Sequence, residues 1–447
     1  MFTGISAFAV ILVFLWYIRD KSFSVRVFTA LVLGIALGYL LKVTLSEEAM
    51  TFVTSWYDVV GTGYVRLLRM VSIPLIMVSI LSAVVNMKAS KGLARAAALI
   101  IAVLLVTTAI SAGIGIASSE LFGLNANEIT VGALEHKGMD KIVTRAEETD
   151  LSIQQQLLNV IPTNPFASMT GAGSNSTLAV VLFSALLGAA VLAMRKEEKE
   201  LADRFQSGLK VIYAAVMELT WIVIELTPYG ICAIIAQTVA QTDYTAVVAL
   251  AKFAGASYVA IIVVFLVHLL ILSLSGYSPV VYLRKAWPTL TFAFTSRSSM
   301  ATLPMTINTL HTRMGLSEGL SGFAASLSTS IGQNGCAGIY PAMLAVMIAP
   351  TVGVDPLSLS FILKLIIIVS LSSFGIAGVG GGATFAAIMV LSILGFPIAL
   401  AGVLISIEPL IDMGRTALNV SGGLTAGLVT GRIMGEDNKA LYNDESK

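Results

Sequence analysis

Four ionisable side chains, Arg297, Glu408, Asp412 and Arg415, stand in otherwise apolar stretches of the last third of the chain. A charge at mid-helix in a bilayer costs roughly 2.5–3.5 kcal/mol on insertion scales, so four unpaired ones would cost on the order of 10 kcal/mol. Such groups need partners, hydration or a polar ligand. On a helix Glu408, Asp412, Arg415, Thr416 and Asn419 share one narrow arc, because offsets of 4, 7, 8 and 11 residues nearly complete whole turns. Internal ion pairing, Asp412 or Glu408 with Arg415, is the purely structural reading. An arc carrying acid, guanidinium, hydroxyl and amide also suits a zwitterion, since the acid takes an ammonium and the guanidinium takes a carboxylate as a fork. His268, alone among apolar neighbours, reads as packing, and Arg66 and Arg69 as snorkelling or structurally paired side chains.

The residues before this arc are broken in a repeated way. One segment, 278–308, contains Thr295-Ser-Arg-Ser-Ser-Met-Ala-Thr-Leu-Pro304, and the next span is interrupted at Ser328-Thr-Ser-Ile-Gly-Gln-Asn-Gly335. A second segment, 356–393, contains Ser372-Ser-Phe-Gly-Ile-Ala-Gly-Val-Gly-Gly-Gly-Ala383, and the span after it reads as interrupted at Asp412-Met-Gly-Arg-Thr-Ala-Leu-Asn-Val-Ser-Gly-Gly423. A hairpin followed by a broken helix, twice and entering from opposite sides, is the pattern of an inverted repeat with its site near the midplane. Irregular backbone persists at that depth only where it is buried or lines a polar cavity. Tips rich in Ser and Gly offer free backbone N–H groups to a carboxylate. The competing reading is that the glycines only permit close helix packing.

The elements that would position these residues are membrane spans. Of 447 residues, 56% are hydrophobic and 12% charged, about half the charge of a soluble domain. Mean hydropathy is +0.88, and several apolar stretches reach the roughly 20 residues that cross a bilayer as helix. Apolar spans are expected at about 2–18, 25–43, 52–87, 96–117, 153–194, 209–240, 246–274, 318–350 and 398–431. The first lacks a basic lead-in and a small-residue cleavage site, and reads as a signal-anchor helix with its N-terminus outside. Basic residues gather in alternate loops: Lys88, Lys91 and Arg95; Arg195, Lys196, Lys199, Arg204 and Lys210; Arg284 and Lys285. The acidic loop 118–152 is then outside and the C-terminus cytoplasmic. The net charge of +1 points to no nucleic-acid partner. Cys232 and Cys336 make neither a disulfide framework nor a metal-ligand spacing.

Five motifs in this order resemble those of the dicarboxylate/amino-acid:cation symporter family, which has the glutamate-transporter fold: Arg66-Leu-Leu-Arg-Met70, Ile161-Pro-Thr-Asn-Pro-Phe166, Arg297-Ser-Ser-Met-Ala-Thr-Leu-Pro304, Ser373-Phe-Gly-Ile-Ala-Gly-Val379 and Asp412-Met-Gly-Arg-Thr-Ala-Leu-Asn-Val420. The resemblance runs from about 25 to 432. The first tip, Gly332-Gln-Asn-Gly-Cys336 and the triple glycine 380–382 are similar to the bacterial L-cystine symporter branch. This implies an all-α polytopic fold with two re-entrant helical hairpins and inverted repeats, plus one extra N-terminal helix packed peripherally. It implies a homotrimer in the bacterial inner membrane working as an elevator. The implied division is 1–24 extra helix, 25–95 helices 1–2, 96–117 helix 3, 118–152 extracellular loop, 153–245 scaffold helices 4–5, 246–432 transport domain and 433–447 cytoplasmic tail. Carried over by position, Asp412 binds the substrate amino group and Arg415 a distal side-chain group. Thr416 and Asn419 add hydrogen bonds. Ser298, Ser299 and Met300 at the first tip and Val379 and Gly381 at the second contact substrate, largely through backbone. Cys336 stands where acidic-amino-acid members carry a threonine near substrate.

Departures from the family pattern bear on the coupling ion. Sodium-driven members use Asn-Met-Asp-Gly-Thr, whose Asn and Asp ligands are here Gly332 and Asn334. A further ligand Asp is Gly423 and a ligand Tyr is Leu104, although Thr107 and Thr108 keep hydroxyls beside it. Hard cations prefer several oxygens including carboxylate, so two sodium sites are expected to be weakened or lost. Ser328, Ser330, Gln333, Asn334 and Ser373 remain as candidates, with a weak sodium site at Ser330, Gln333 and Ser373. Its usual methionine is Gln333 and its usual threonine is Ile376. The alternative coupling ion is a proton on Glu408, which burial beside Asp412 would favour. Glu408 could instead hold the second ammonium of cystine. No cofactor is expected. A carrier for another amino acid or for aspartate or glutamate, and an ion channel, are the alternatives. A channel needs a continuous pore-lining ring that this isolated stripe does not suggest. No Ser/His pair, metal cluster or phosphate loop supports an enzyme or an ATP-driven pump.

Overall fold

The computed structural model describes residues 2–21, 23–86, 90–126, 155, 158–170, 176–241, 251–374, 382–398, 401, 404 and 407–444. Among them the fold is helical, with one isolated β-bridge between Leu316 and Asp437. The chain divides into two compact units, one of Met1–Ser72 with Ala215–Thr245 and one of Ile73–Ala214 with Ala246–Lys447. Among the described residues, five helical stretches are long and apolar enough to cross a membrane: Val25–Thr44, Ala94–Leu121, Lys199–Glu225, Ala251–Leu274 and Asn334–Val352. Shorter apolar helices accompany them, as a polytopic membrane protein requires.

The first unit contains helices α1 (Phe2–Tyr17), α2 (Phe23–Thr44), most of α3 (Glu47–Asn86) and, further along the chain, α8 (Thr227–Gln241). Small residues let α2 and α8 close up. A Cβ at Gly38 would come within 2.4 Å of the Ala236 carbonyl, and one at Gly34 within 2.9 Å of the Cys232 carbonyl. Helix α1 packs on α2 and α8. It is pinned by Phe8, which stacks on Tyr57 at 4.2 Å, and by the Tyr57 hydroxyl, which donates to Gly4 O at 2.8 Å.

Two expected spans are revised. The stretch 153–194 is not one helix: Asn164 caps a short α5 (Pro165–Met169), and the apolar helix α6 (Ser176–Met194) begins beyond it. The stretch 209–240 is two helices, α7 (Lys199–Glu225) and α8, separated at Leu226 just before Pro228. Proline lacks an N–H donor and tolerates only the first turn of the new helix.

The second unit is built around a buried terminal helix. Helices α4 (Ser90–Leu121), α9 (Ala251–Leu274), α10 (Pro279–Ser296), α11 (Ser299–Asn308) and α12 (Glu318–Ser328) all pack against α16 (Glu408–Met434). Helices α10 and α11 meet at Arg297, which takes left-handed φ 52° and is the one non-glycine residue with positive φ among the described residues. Ser298 then caps α11, its hydroxyl accepting from Ala301 N at 3.1 Å. The span after α12 is broken as its sequence implies. Residues 329–333 are irregular, Gly332 turns at φ 62°, and a π-helical turn Asn334–Ile339 leads into α13 (Tyr340–Ile348). Helices α14 (Leu359–Ser372) and α15 (Gly382–Leu394) pack together. Their connection, with Val379 and Gly381, lies outside the described residues, as does most of the acidic loop.

The expected interruption at 412–423 is a correction. Helix α16 runs unbroken from Glu408 to Met434. Polar side chains and paired glycines mimic a break in the sequence, but the buried groove between α4, α9 and α12 accepts a continuous helix. Arg284 and Lys285 are likewise not loop residues but lie within α10. Beyond α16, residues 435–443 fold back onto the same unit, ending in α17 (Lys439–Asn443).

Candidate substrate and ion site

The first turns of α16 carry the charged arc. Pro409 sets the start of the helix, and Glu408, Asp412, Arg415, Thr416 and Asn419 follow at its expected spacing. Arg415 is fully buried. One of its nitrogens, Nη2, serves both acids, at 3.4 Å from Asp412 Oδ1 and 3.5 Å from Glu408 Oε1. The guanidinium lies over the Tyr340 ring, 4.4 Å from its centroid, a cation–π contact. Nε and Nη1 have no hydrogen-bond partner among the described residues. A buried donor left without an acceptor is costly, so Nε and Nη1, on different edges of the guanidinium, are each open to an acceptor oxygen.

The broken span supplies the facing wall. Asn419 Oδ1 accepts from Gly335 N at 2.7 Å and from Cys336 N at 3.3 Å. Asn419 Nδ2 reaches Cys336 Sγ at 3.1 Å and Gln333 Oε1 at 3.3 Å. Cys336 Sγ stands 3.9 Å from Asp412 Oδ1. The approach is so close that a Cβ at Gly335 would lie 2.7 Å from Arg415 Cα. Thr384, third residue of α15, donates its hydroxyl to Glu408 Oε1 at 3.0 Å. Ser299 and Met300 are buried at the N-terminus of α11, which packs on α16.

The structure also brings together part of the ion set. Asn334 Nδ2 donates to Thr107 Oγ1 at 2.9 Å and Thr108 Oγ1 at 3.4 Å, and both hydroxyls donate to Leu104 O. Gln333 Nε2 donates to Thr329 O at 2.7 Å, so its amide is tied to its own turn and to Asn419. Ser328 donates to Ala325 O, and Ser373, which caps α14, donates to Ser370 O at 2.6 Å. Ser330 is buried beside Thr329. Gly423 and Gly332 are tightly enclosed. A Cβ at Gly423 would lie 2.3 Å from Ser328 Oγ, and one at Gly332 2.6 Å from Leu104 Cβ.

Three residues were not singled out from the sequence. Tyr340 and Thr384 reach the arc from distant elements. Tyr258 donates to Leu410 O at 2.7 Å and packs on Gly414. No local signal marks them, beyond Thr384 standing two residues after the triple glycine 380–382. His268 does more than pack: its Nδ1 meets Ser421 Oγ at 3.0 Å, and Ser421 meets the Tyr282 hydroxyl at 2.9 Å.

A buried, partly unpaired charge cluster inside an apolar helical unit marks a functional site of a membrane protein. The chain belongs to the Sodium:dicarboxylate symporter family, whose pattern matches residues 23–433, and it is a transporter, not an enzyme. It is 48% identical over 438 residues to the L-cystine uptake protein TcyP of Bacillus thuringiensis (strain Al Hakam), covering 96% of this chain and 94% of that one. It is 49% identical over 438 residues to the L-cystine uptake protein TcyP of Shouchella clausii (strain KSM-K16), covering 97% and 94%. The protein of the same name from Bacillus licheniformis is 48% identical over 431 residues, covering 96% and 93%.

Proposed function

We propose that this chain imports L-cystine by cation-coupled symport. The observation that carries the reading is the Arg415 guanidinium: fully buried, held through one nitrogen by two acids, with donors at Nε and Nη1 unengaged among the described residues. In this reading Arg415 takes a carboxylate of the far end of cystine. Asp412 takes the near ammonium, and the backbone N–H groups around Ser298, Ser299 and Met300 take the near carboxylate. Thr416 and Asn419 add hydrogen bonds, Cys336 faces the disulfide, and Val379 and Gly381 close the site through backbone. L-Cystine has two ammonium groups. One acid would leave one unmatched, which gives Glu408 its place.

The α10–α11 and α14–α15 pairs act as re-entrant hairpins of an inverted repeat, and residues 246–432 move as the transport domain of an elevator within a homotrimer. The protein sits in the bacterial inner membrane with its C-terminus cytoplasmic and its N-terminus outside. The coupling ion is a proton carried at Glu408, or a single sodium at Ser330, Gln333 and Ser373.

The test is uptake of radiolabelled L-cystine into proteoliposomes under an inward proton or an inward sodium gradient. Proton-driven uptake, lost in Glu408→Gln, supports the first ion; sodium-dependent uptake supports the second. Glu408→Gln that loses L-cystine binding at every pH assigns Glu408 to the ammonium instead. Transport of aspartate or glutamate without L-cystine overturns the substrate. Trans-stimulated exchange of labelled for unlabelled solute separates a carrier from a channel.

A further inference from the structure

We propose that Thr384 is a positioning residue that holds the Glu408 carboxylate for the second ammonium of a two-headed amino acid, and thereby sets selectivity for such substrates over one-headed ones. The inference rests on the L-cystine reading above and goes beyond it by naming what orients the second acid. Glu408, Asp412 and Arg415 sit on successive turns of one helix. Left to themselves, two carboxylates beside one guanidinium collapse onto it, and the acid then has little charge to offer a ligand. The two acids do share a single nitrogen, Nη2, at 3.4 and 3.5 Å. Glu408 Oε1, however, is nearer to Thr384 Oγ1, at 3.0 Å, than to Arg415. Thr384 is on α15, a separate arm, so its hydroxyl pulls the carboxylate away from the α16 ladder. A neutral donor does this without cancelling the negative charge. A hydrogen bond to a charged acceptor is also the stronger kind. Glu408 is the more open of the two acids, its side chain 17% exposed against 12% for Asp412 and 0% for Arg415.

Thr384→Val keeps shape and removes the hydroxyl, and Thr384→Ser keeps the hydroxyl. In proteoliposomes the valine variant is expected to raise the KM for L-cystine about tenfold, the scale of one hydrogen bond to a charged acceptor, with maximal rate nearly kept. Inhibition of uptake by S-methyl-L-cysteine, which has one ammonium, should stay unchanged, and Thr384→Ser should restore the wild-type KM. Thr384→Ala carries the same expectation should the valine variant not insert. A wild-type KM in these hydroxyl-free variants overturns the proposal. So does a defect that serine does not restore, or an equal weakening of both ligands. Absence of L-cystine uptake by the wild-type protein would instead overturn the substrate reading itself.

Discussion

Arg415 is the residue on which the site depends. Its guanidinium is buried among two acids and an aromatic face, and two of its nitrogens, Nε and Nη1, are unengaged among the described residues. Lysine has the charge but neither the fork nor the planar stacking. Arg415→Lys is therefore expected to lower L-cystine affinity more than tenfold, read by scintillation proximity binding. Arg415→Ala should also destabilise, by about 3–5 kcal/mol, because it strands buried acids. Asn419 plays a different part, its carbonyl oxygen joining two backbone N–H groups of the broken span to α16. Asn419→Ala leaves those donors buried and unpaired, at about 1–3 kcal/mol each. A thermal-unfolding shift in detergent should show the loss even without substrate. At this scale the α16 arc was legible, since helical spacing alone aligns its members. Tyr340 and Thr384 were not, because nothing local links them to Arg415 or Glu408.

At the scale of the element, the broken span and the unbroken last helix depend on each other. Gly335 lets the π-helical turn approach until a Cβ would stand 2.7 Å from both Arg415 Cα and O. Those are backbone atoms in a buried helix, and they cannot swing aside as a side-chain end would. Gly335→Ala should displace the turn, weaken the Asn419 bonds and reduce uptake at least tenfold without abolishing membrane insertion, measured by transport against surface expression. Gly332 adds a second demand: its φ of 62° is strained for any residue with a Cβ, and Leu104 fills the space beside it. The polar runs 328–335 and 412–423 look alike as sequences. The first leaves helical backbone at Gly332, whose φ is 62°, while the second stays helical throughout, packed against α4, α9, α10, α11 and α12.

At the scale of the molecule, the segment after α16 holds the second unit together at one end. Ser317 N donates to Glu436 O, Asn438 N to Gly315 O, and the Tyr442 hydroxyl to Ser278 O at 2.9 Å. Lys285, buried in α10, donates from Nζ to Arg313 O and Leu441 O, each at 2.7 Å. Tyr277 packs on Tyr442 with ring centroids 4.7 Å apart. Loops after α9, α11 and α16 are thus joined by one short strap. Truncation after Met434 should lower the unfolding temperature by several degrees and leave Lys285 short of an acceptor. Lys285→Met should in part offset that loss, because it removes a buried charge instead of stranding it.

The membrane class, the order of segments, the break after α12 and the alignment of Glu408, Asp412, Arg415, Thr416 and Asn419 follow from the sequence by itself. Hydropathy, turn chemistry and helical period act over a few residues and need no partner. Only the tertiary structure decided that α16 is continuous and that one guanidinium nitrogen serves both acids. It alone placed Tyr340 and Thr384 at the arc and fastened residues 435–443 to α10 and α12. Each of these depends on groups from separate elements meeting within a few ångströms. In a buried site, burial and the pairing of every polar atom select among arrangements that local preference leaves equal.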